Sequence, residues 1–106
     1  MSLESTIDAK IASKKVIVYS KSYCPFCTKA KKVFETYIQN GLLKREDYEV
    51  IEIENDPQCS AIQDIMKKKT GGSSVPRVFV NGKFIGGGDD VVRLDKNGEL
   101  KKLLLS

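Results

Sequence analysis

The sequence contains no histidine and only three cysteines, at positions 24, 27 and 59. A structural zinc site takes about four cysteine or histidine ligands, so a closed zinc site within one chain is improbable on counting alone. Small secreted domains that depend on disulfides usually carry a larger, even set of cysteines, so that class of protein is disfavoured as well. We predict no metal site built from this chain's own residues.

Long apolar segments, repeats and low-complexity tracts are also missing from the sequence. No run approaches the roughly 20 apolar residues that cross a bilayer, so we expect no membrane partner. The N-terminal stretch "MSLESTIDAK" is polar and mixed in charge, unlike a secretory signal peptide. With 41% hydrophobic and 30% charged residues and no linker, residues 1–106 are predicted to form a single domain of a cytoplasmic protein.

Basic residues exceed acidic ones by 18 to 14, which gives a net charge of +4. Nucleic-acid binding would require this positive charge to be concentrated in one patch or in a recognition motif. The lysines instead form short clusters, around positions 29–32 and 67–69, that acidic and apolar residues interrupt. We therefore predict solvated helix faces, with at most weak steering of anionic small molecules, and no nucleic-acid partner.

The first part of the chain predicts a helix, a strand and a second helix. Leu3, Ile7 and Ile11 recur at helical spacing, and the run "KKVIVYS" is typical of a strand buried on both faces. The second helix carries an apolar stripe, and Gly41 provides a natural C-terminal stop. The residues of the stripe are Ala30, Val33, Phe34, Tyr37 and Ile38.

The middle of the chain predicts a second strand, "YEVIEIE", and a third helix within "NDPQCSAIQDIMKKKTGG". Asn55 or Asp56 is expected to cap the start of that helix, with Pro57 in its first turn. Gly71 is expected to close it after three lysines.

The last part of the chain predicts a β-hairpin and two helices. Asn81-Gly82 between two apolar runs is the strongest short signal for a hairpin turn. A helix is expected to start at Asp89 and Asp90, and "GELKKLLLS" forms a final helical piece. The β-α-β unit implies parallel strands with a right-handed crossover, and the hairpin adds antiparallel ones. The predicted fold is an α/β domain, with about five helices covering both faces of a mixed sheet.

The two cysteines of "CPFC" lie between the first strand and the second helix. A Cys-x-x-Cys motif beside a β-α-β pattern points to thiol–disulfide exchange. At Cys24 the free N–H groups and dipole of the helix start favour an anion, and Lys21 adds positive charge, so both favour the reactive thiolate. Cys27, one turn further on, should be more buried and more thiol-like, and can attack a mixed disulfide formed at Cys24. Pro25 is tolerated in the first helical turn, because the backbone N–H that proline lacks would have no acceptor within the helix there.

Alternative roles for the cysteines are weaker. A structural disulfide across so short a loop would constrain the unfolded chain little, and inert packing does not suit an exposed loop. Cys59 lies near the start of the third helix without a partner in sequence. For Cys59 we favour a half-buried structural side chain, and a regulatory or intermolecular thiol is the alternative.

The motifs "CPFC", "TGGSSVPRVFVNG" and "IGGGDD", in this order and spacing, resemble those of dithiol glutaredoxins over essentially the whole chain. This resemblance implies a compact thioredoxin-like fold. Its four-stranded mixed sheet is expected in the order 2-1-3-4, with strand 3 antiparallel to strand 1. The element pattern alone is compatible with this order but does not determine it.

The resemblance also implies a site for glutathione. Val75-Pro76 is expected to be a cis peptide bond beside Cys24, and the Val75 backbone is expected to pair with the cysteine of glutathione. Lys21, which is also expected to assist Cys24 and Cys27 in catalysis, matches a position that holds the glycyl carboxylate. For the γ-glutamyl ammonium, Asp90 is the first choice and Asp89 the second. The implied binding positions are Lys21, Phe26, Gln63, Ser74, Val75, Pro76, Gly87, Gly88, Asp89 and Asp90.

Four positions depart from the common pattern of the family that the chain resembles. Phe26 lacks the hydroxyl of the usual tyrosine, and Ser73 stands where many relatives carry a basic residue. Ser74 replaces a frequent threonine, and Gly88 stands where many relatives have a third cysteine. These changes leave the cysteine pair intact, so we expect activity to be retained. We expect them to affect the affinity for glutathione and the substrate preference.

The function that this resemblance implies is glutathione-dependent thiol–disulfide exchange. The expected substrates are glutathionylated and disulfide-containing proteins, and glutathione reductase would recycle the glutathione disulfide. The expected state is a monomer with glutathione as co-substrate and no tightly bound cofactor. An alternative is a dimer that holds a [2Fe–2S] cluster through Cys24 of each chain and two glutathiones, which Pro25 disfavours.

Overall fold

The computed structural model describes residues 2–106; Met1, the first residue of the predicted 1–106 domain, lies outside the described residues. Five α-helices and four β-strands follow one another in the predicted order, with one short 3-10 helix, Arg45–Asp47, before the second strand. The helices are α1 Leu3–Ser13, α2 Pro25–Gln39, α3 Cys59–Thr70, α4 Gly88–Lys96 and α5 Glu99–Leu105. The strands are β1 Val16–Ser20, β2 Tyr48–Glu52, β3 Arg77–Val80 and β4 Lys83–Gly86.

The four strands form one sheet in the order β2-β1-β3-β4. Strand β1 runs parallel to β2 and antiparallel to β3, and β3 pairs with β4 as an antiparallel hairpin. Asn81 and Gly82 form the hairpin turn with φ angles of 53° and 80°, which is the left-handed backbone that this dipeptide favours. The sheet order and the strand directions implied by the resemblance are therefore confirmed.

Strand β1 lies at the centre of the fold, and all five of its residues are buried. Because side chains alternate along a strand, Val16 and Val18 pack in the core on the side of α2, α4 and α5. Ile17 and Tyr19 pack in the core on the side of α1 and α3. The strand buried on both faces is thus confirmed, and its carboxyl end delivers the chain to the cysteine pair.

Helix α3 begins later than the sequence predicted. The Asp56 carboxylate accepts a hydrogen bond from the Gln58 N–H at 2.8 Å, and the Asp56 carbonyl accepts one from the Cys59 N–H at 3.0 Å. These bonds close a turn around Pro57, so Gln58 becomes the cap and the predicted cap at Asn55 or Asp56 is wrong. The predicted end is confirmed, because Gly71 terminates the helix with a φ of 86°.

Among residues 2–106, no helix is both long enough and apolar enough to cross a membrane.

Candidate active site

Cys24 is the N-cap of α2, so its sulfur lies at the positive end of that helix. The Cys24 Sγ accepts a hydrogen bond from the Cys27 N–H at 3.2 Å, and Pro25 occupies the first helical turn without needing an acceptor for an N–H. The Cys24 side chain is partly exposed. A sulfur that is accessible and accepts N–H donation at a helix start is suited to carry negative charge.

Cys27 lies in the opposite environment, with none of its surface exposed to solvent. Burial is the main factor that raises the pKa of the Cys27 thiol, and its hydrogen bond with Cys24 acts in the same direction. Cys27 therefore stays protonated at a pH where an exposed thiol begins to ionise. All three cysteines are free thiols in this structure.

Lys21 and Gln63 come together on one side of the cysteine pair. The Lys21 ammonium donates to Gln63 Oε1 at 3.4 Å, and Gln63 Nε2 donates to the Ser73 carbonyl at 2.9 Å. The Cys59 thiol donates to the same Gln63 oxygen at 3.6 Å. Over the described part of the chain, the hydrogen-bond partner of the Lys21 ammonium is thus Gln63 and not the sulfur of Cys24.

The segment before β3 also lies against Cys24. Val75-Pro76 is a cis peptide bond, as the resemblance implied, and the Cys24 thiol donates to the Val75 carbonyl at 3.7 Å. The Val75 N–H makes no hydrogen bond to any residue between 2 and 106. Val75 therefore presents a free backbone donor next to the reactive sulfur.

A groove of about 390 Å³ runs alongside this segment. Its lining contains the predicted glutathione positions other than Lys21 and Gln63, together with one residue that the sequence analysis missed, Arg77. The lining residues are Phe26, Ser74, Val75, Pro76, Arg77, Gly87, Gly88, Asp89 and Asp90. Arg77 could have been suspected from sequence, because it is a charged residue directly after Pro76 at the head of the apolar strand "RVFV".

The start of α4 forms one end of the groove. Asp90 reaches back to accept a hydrogen bond from the Gly87 N–H at 2.9 Å, and its other oxygen accepts from Arg93 at 3.3 Å. The Gly87 N–H is the main cause that holds the pKa of the Asp90 carboxyl below its usual value, and Arg93 adds to it. Asp89 is exposed. Asp90 therefore caps its own helix while it lines the groove.

Two glycines allow this close packing. Gly86 has a φ of 129°, and a Cβ built there would lie 2.4 Å from the Asp90 side chain. A Cβ at Gly88 would lie 2.6 Å from the Phe26 carbonyl. Gly88 thus allows the start of α4 to pack closely against the start of α2.

Comparisons with known proteins identify the family of this chain. The family model described as Glutaredoxin matches residues 16–85. The chain is 45% identical to glutaredoxin-C6 of Oryza sativa subsp. japonica over 94 residues, which cover 89% of this chain and 78% of that one.

Two solved structures are similar over nearly the whole chain. Oxidized glutaredoxin 2 from Chlamydomonas reinhardtii has a TM-score of 0.85 and 50% identity, and the match covers 95% of this chain and 89% of the other. The buckwheat glutaredoxin–glutathione complex has a TM-score of 0.83 and 34% identity, with 95% and 86% covered. The chain therefore belongs to the glutaredoxin family of glutathione-dependent thiol–disulfide oxidoreductases.

Proposed function

We propose that this chain reduces protein–glutathione mixed disulfides and protein disulfides, with Cys24 as the nucleophile and Cys27 as the resolving thiol. One observation carries the assignment of roles: the Cys24 sulfur is accessible at a helix start and accepts the Cys27 N–H, whereas Cys27 is fully buried. A nucleophile must reach its substrate as a thiolate, while a resolving thiol need only reach its neighbour.

On a glutathionylated protein, the Cys24 thiolate attacks the glutathione sulfur of the mixed disulfide. The bond to the protein sulfur breaks, the protein thiolate leaves and takes up a proton, and Cys24 becomes joined to glutathione. A second glutathione thiolate then attacks that glutathione sulfur, which releases glutathione disulfide and restores the Cys24 thiolate. Two glutathione moieties end as one disulfide, and glutathione reductase returns them to the thiol form.

On a protein disulfide, Cys24 first forms a mixed disulfide with one of the two substrate sulfurs. Cys27 loses its proton, attacks Cys24, and releases the substrate as a dithiol. The resulting Cys24–Cys27 disulfide is reduced by two glutathione molecules in turn. Because burial raises the pKa of Cys27, its proton is retained until the mixed disulfide places a leaving group beside it.

The groove supports glutathione as the co-substrate. The Val75 N–H is free and the Val75 carbonyl lies 3.7 Å from the Cys24 sulfur, so both would pair with the backbone of the glutathione cysteine in the manner of an added strand. Lys21 and Gln63 would hold the glycyl carboxylate, and Phe26 would flank the tripeptide. At the other end, Gly87 and Gly88 would let the ligand approach the backbone closely, and the first-turn N–H groups of α4 would take the γ-glutamyl carboxylate. Asp90, with Asp89 as the second choice, would take the ammonium.

The cysteine roles are tested by glutathione-coupled turnover of two variants. Cys24→Ser is expected to abolish turnover on both a glutathione mixed disulfide and a protein disulfide, because both reactions begin at the Cys24 sulfur. Cys27→Ser is expected to retain turnover on the mixed disulfide and to lose reduction of the protein disulfide. Cys59→Ser serves as the matched control and should behave as wild type on both substrates. Equal losses in the first two variants would contradict the division of roles.

The proposed setting for this reaction is the reducing cytoplasm, with glutathionylated and disulfide-containing proteins as substrates of a monomeric enzyme. Replacing glutathione by thioredoxin reductase as the electron source in the same assay tests the choice of reductant. Turnover that depends on glutathione supports the proposal, and turnover driven equally well by thioredoxin reductase counts against it.

A further inference from the structure

Arg77 occupies an unusual place for an arginine. It is the first residue of β3 and pairs with Tyr19 of the central strand, and the three residues that follow it are all buried. Its guanidinium turns back toward the segment before the strand and lines the proposed glutathione groove. Because Arg77 is half-buried, its stem can pack along the strand while its charged head reaches polar partners.

The partners of Arg77 are concentrated on one neighbouring residue. The Nε atom donates to the Ser74 carbonyl at 2.7 Å, and Nη2 donates to the Ser74 hydroxyl at 3.0 Å. These two hydrogen bonds use two N–H groups of the planar guanidinium, an arrangement that a lysine ammonium cannot reproduce. Ser74 is therefore fixed through both its backbone and its side chain.

Two further contacts restrict where the guanidinium can lie. Its central carbon stands 5.2 Å from the centre of the Phe84 ring on β4, within range of a cation–π interaction. A Cβ at Gly72 would fall 2.2 Å from Nη2, so the guanidinium packs directly against the Gly72 backbone. Arg77 thus links β4 of the sheet to the loop that precedes β3.

The loop that Arg77 holds is the one that presents Val75. Gln63 Nε2 donates to the Ser73 carbonyl at 2.9 Å, and Arg77 holds Ser74, the next residue along. Val75 follows immediately, with its N–H free and its carbonyl 3.7 Å from the Cys24 sulfur. The position of the Val75 backbone therefore depends on the two residues before it, and Arg77 sets one of them.

We infer that Arg77 is a positioning residue for glutathione: it fixes Ser74 so that the Val75 backbone is aligned with the glutathione cysteine before binding. This inference rests on the proposed function, because it assigns Arg77 to the same glutathione site. Arg77 acts through Ser74 and Val75 and takes no part in bond making at sulfur. Pre-alignment of this kind lowers the cost of binding.

The test compares Arg77→Met and Arg77→Lys with wild type, and Arg45→Met is the matched control. Arg45 pairs with Glu35 on the surface, away from the groove. Two quantities are measured: KM and kcat for a glutathione mixed disulfide, and the rate at which iodoacetamide alkylates Cys24, which requires no glutathione site. Arg77→Met should raise KM roughly tenfold, the scale of one charge-assisted hydrogen bond, with kcat and the alkylation rate close to wild type. Arg45→Met should leave all three unchanged.

Arg77→Lys keeps the positive charge but loses the planar guanidinium. Its KM should therefore lie closer to that of Arg77→Met than to that of wild type. Gly72→Ala gives a second approach, since its methyl group would displace the guanidinium while Arg77 stays intact; it should also raise KM. Loss of the far-ultraviolet circular dichroism signal in Arg77→Met would mean that this variant does not fold. The KM values of Arg77→Lys and Gly72→Ala then provide the test.

Unchanged KM in the folded Arg77 variants, full rescue by lysine, or a parallel fall in the alkylation rate would each overturn the inference. Failure of the proposed function looks different, because wild type itself would then show no glutathione-dependent turnover.

Discussion

At the scale of single residues, the site separates two thiols by their surroundings. Cys24 and Cys27 are three positions apart, yet one is accessible at a helix start and the other is fully buried. The two neighbouring acidic residues of the groove also differ in their surroundings. Asp89 is exposed, whereas Asp90 is held by the Gly87 N–H and by Arg93. A fixed, partly desolvated carboxylate interacts more strongly with a cation than a mobile, solvated one.

Asp90→Asn is therefore expected to raise the KM for a glutathione mixed disulfide by roughly tenfold or more, because a hydrogen bond to a charged group contributes about 1.5–3 kcal/mol. The amide oxygen of Asn can still accept from the Gly87 N–H, so the helix start should survive. The measurement is coupled turnover at varied substrate concentration, with the alkylation rate of Cys24 as a check on the nucleophile.

Asp89→Asn is the matched control for this change and should shift KM by less. A larger effect at Asp89 than at Asp90 would transfer the ammonium-binding role to Asp89.

At the scale of elements, the groove depends on how α2 and α4 are held together. The Tyr37 hydroxyl on α2 donates to the Asp95 carboxylate on α4 at 2.6 Å. At the other end of α4, Gly88 allows the Phe26 carbonyl of α2 to approach. These two contacts fix the helix that carries the cysteines against the helix whose start lines the groove.

Tyr37→Phe should lower the free energy of unfolding by about 1–2 kcal/mol at pH 7, because it leaves Asp95 without its donor at a half-buried contact. Burial and then the Asp95 hydrogen bond raise the pKa of Tyr37 to about 12 from its ordinary value of 10.0. The protonated form is thus favoured in the folded state. The advantage of wild type should be complete below pH 10 and should decline as the pH rises toward 12.

Urea unfolding of wild type and Tyr37→Phe at pH 7 and pH 11 measures this difference. Tyr23→Phe is the control, since Tyr23 is 71% exposed and its substitution should change stability little. A difference between wild type and Tyr37→Phe that grows from pH 7 to pH 11 would contradict the assigned direction.

At the scale of the whole molecule, the sheet places every part of the site at one edge of the fold. Strand β1 ends at the cysteine pair, and its antiparallel neighbour β3 begins beside it, because the two strands run in opposite directions. Strand β4 then returns the chain to the same edge, where α4 starts. Segments that are some 50 and 65 residues apart in sequence therefore meet at Cys24.

The assembly state is predicted at this scale. Pro25 stiffens the first turn of α2 beside Cys24, which we expect to disfavour a cluster shared between two chains. Purified anaerobically with glutathione, the protein should be a colourless monomer that turns over mixed disulfides. Size-exclusion chromatography and visible absorbance provide the measurement, and a brown dimer would favour the iron–sulfur alternative. Pro25→Gly, which relaxes that turn, is the informative comparison.

Local patterns in the sequence determined a large part of this protein. The periodicity around Phe34 predicted α2, the buried run predicted β1, and Asn81-Gly82 predicted the hairpin, since each depends on neighbouring residues alone. The cysteine pair at a helix start likewise indicated thiol chemistry from spacing and the helix dipole. The order of the strands came from the family resemblance, because a pattern of elements is compatible with more than one pairing.

Only the tertiary structure decided the rest, for physical reasons that particular residues illustrate. Helix α3 starts later than predicted because the Asp56 carboxylate accepts a hydrogen bond from the Gln58 N–H in a turn. Such a turn competes with helix capping, and the sequence pattern does not distinguish the two. The contacts of Arg77 with Gly72 and Phe84 could not be predicted from the sequence pattern, because they depend on strand register and on a folded loop. The sequence by itself determined the local elements and the spacing of the cysteine pair, and the tertiary structure decided how these parts are held together, because packing joins residues that are distant along the chain.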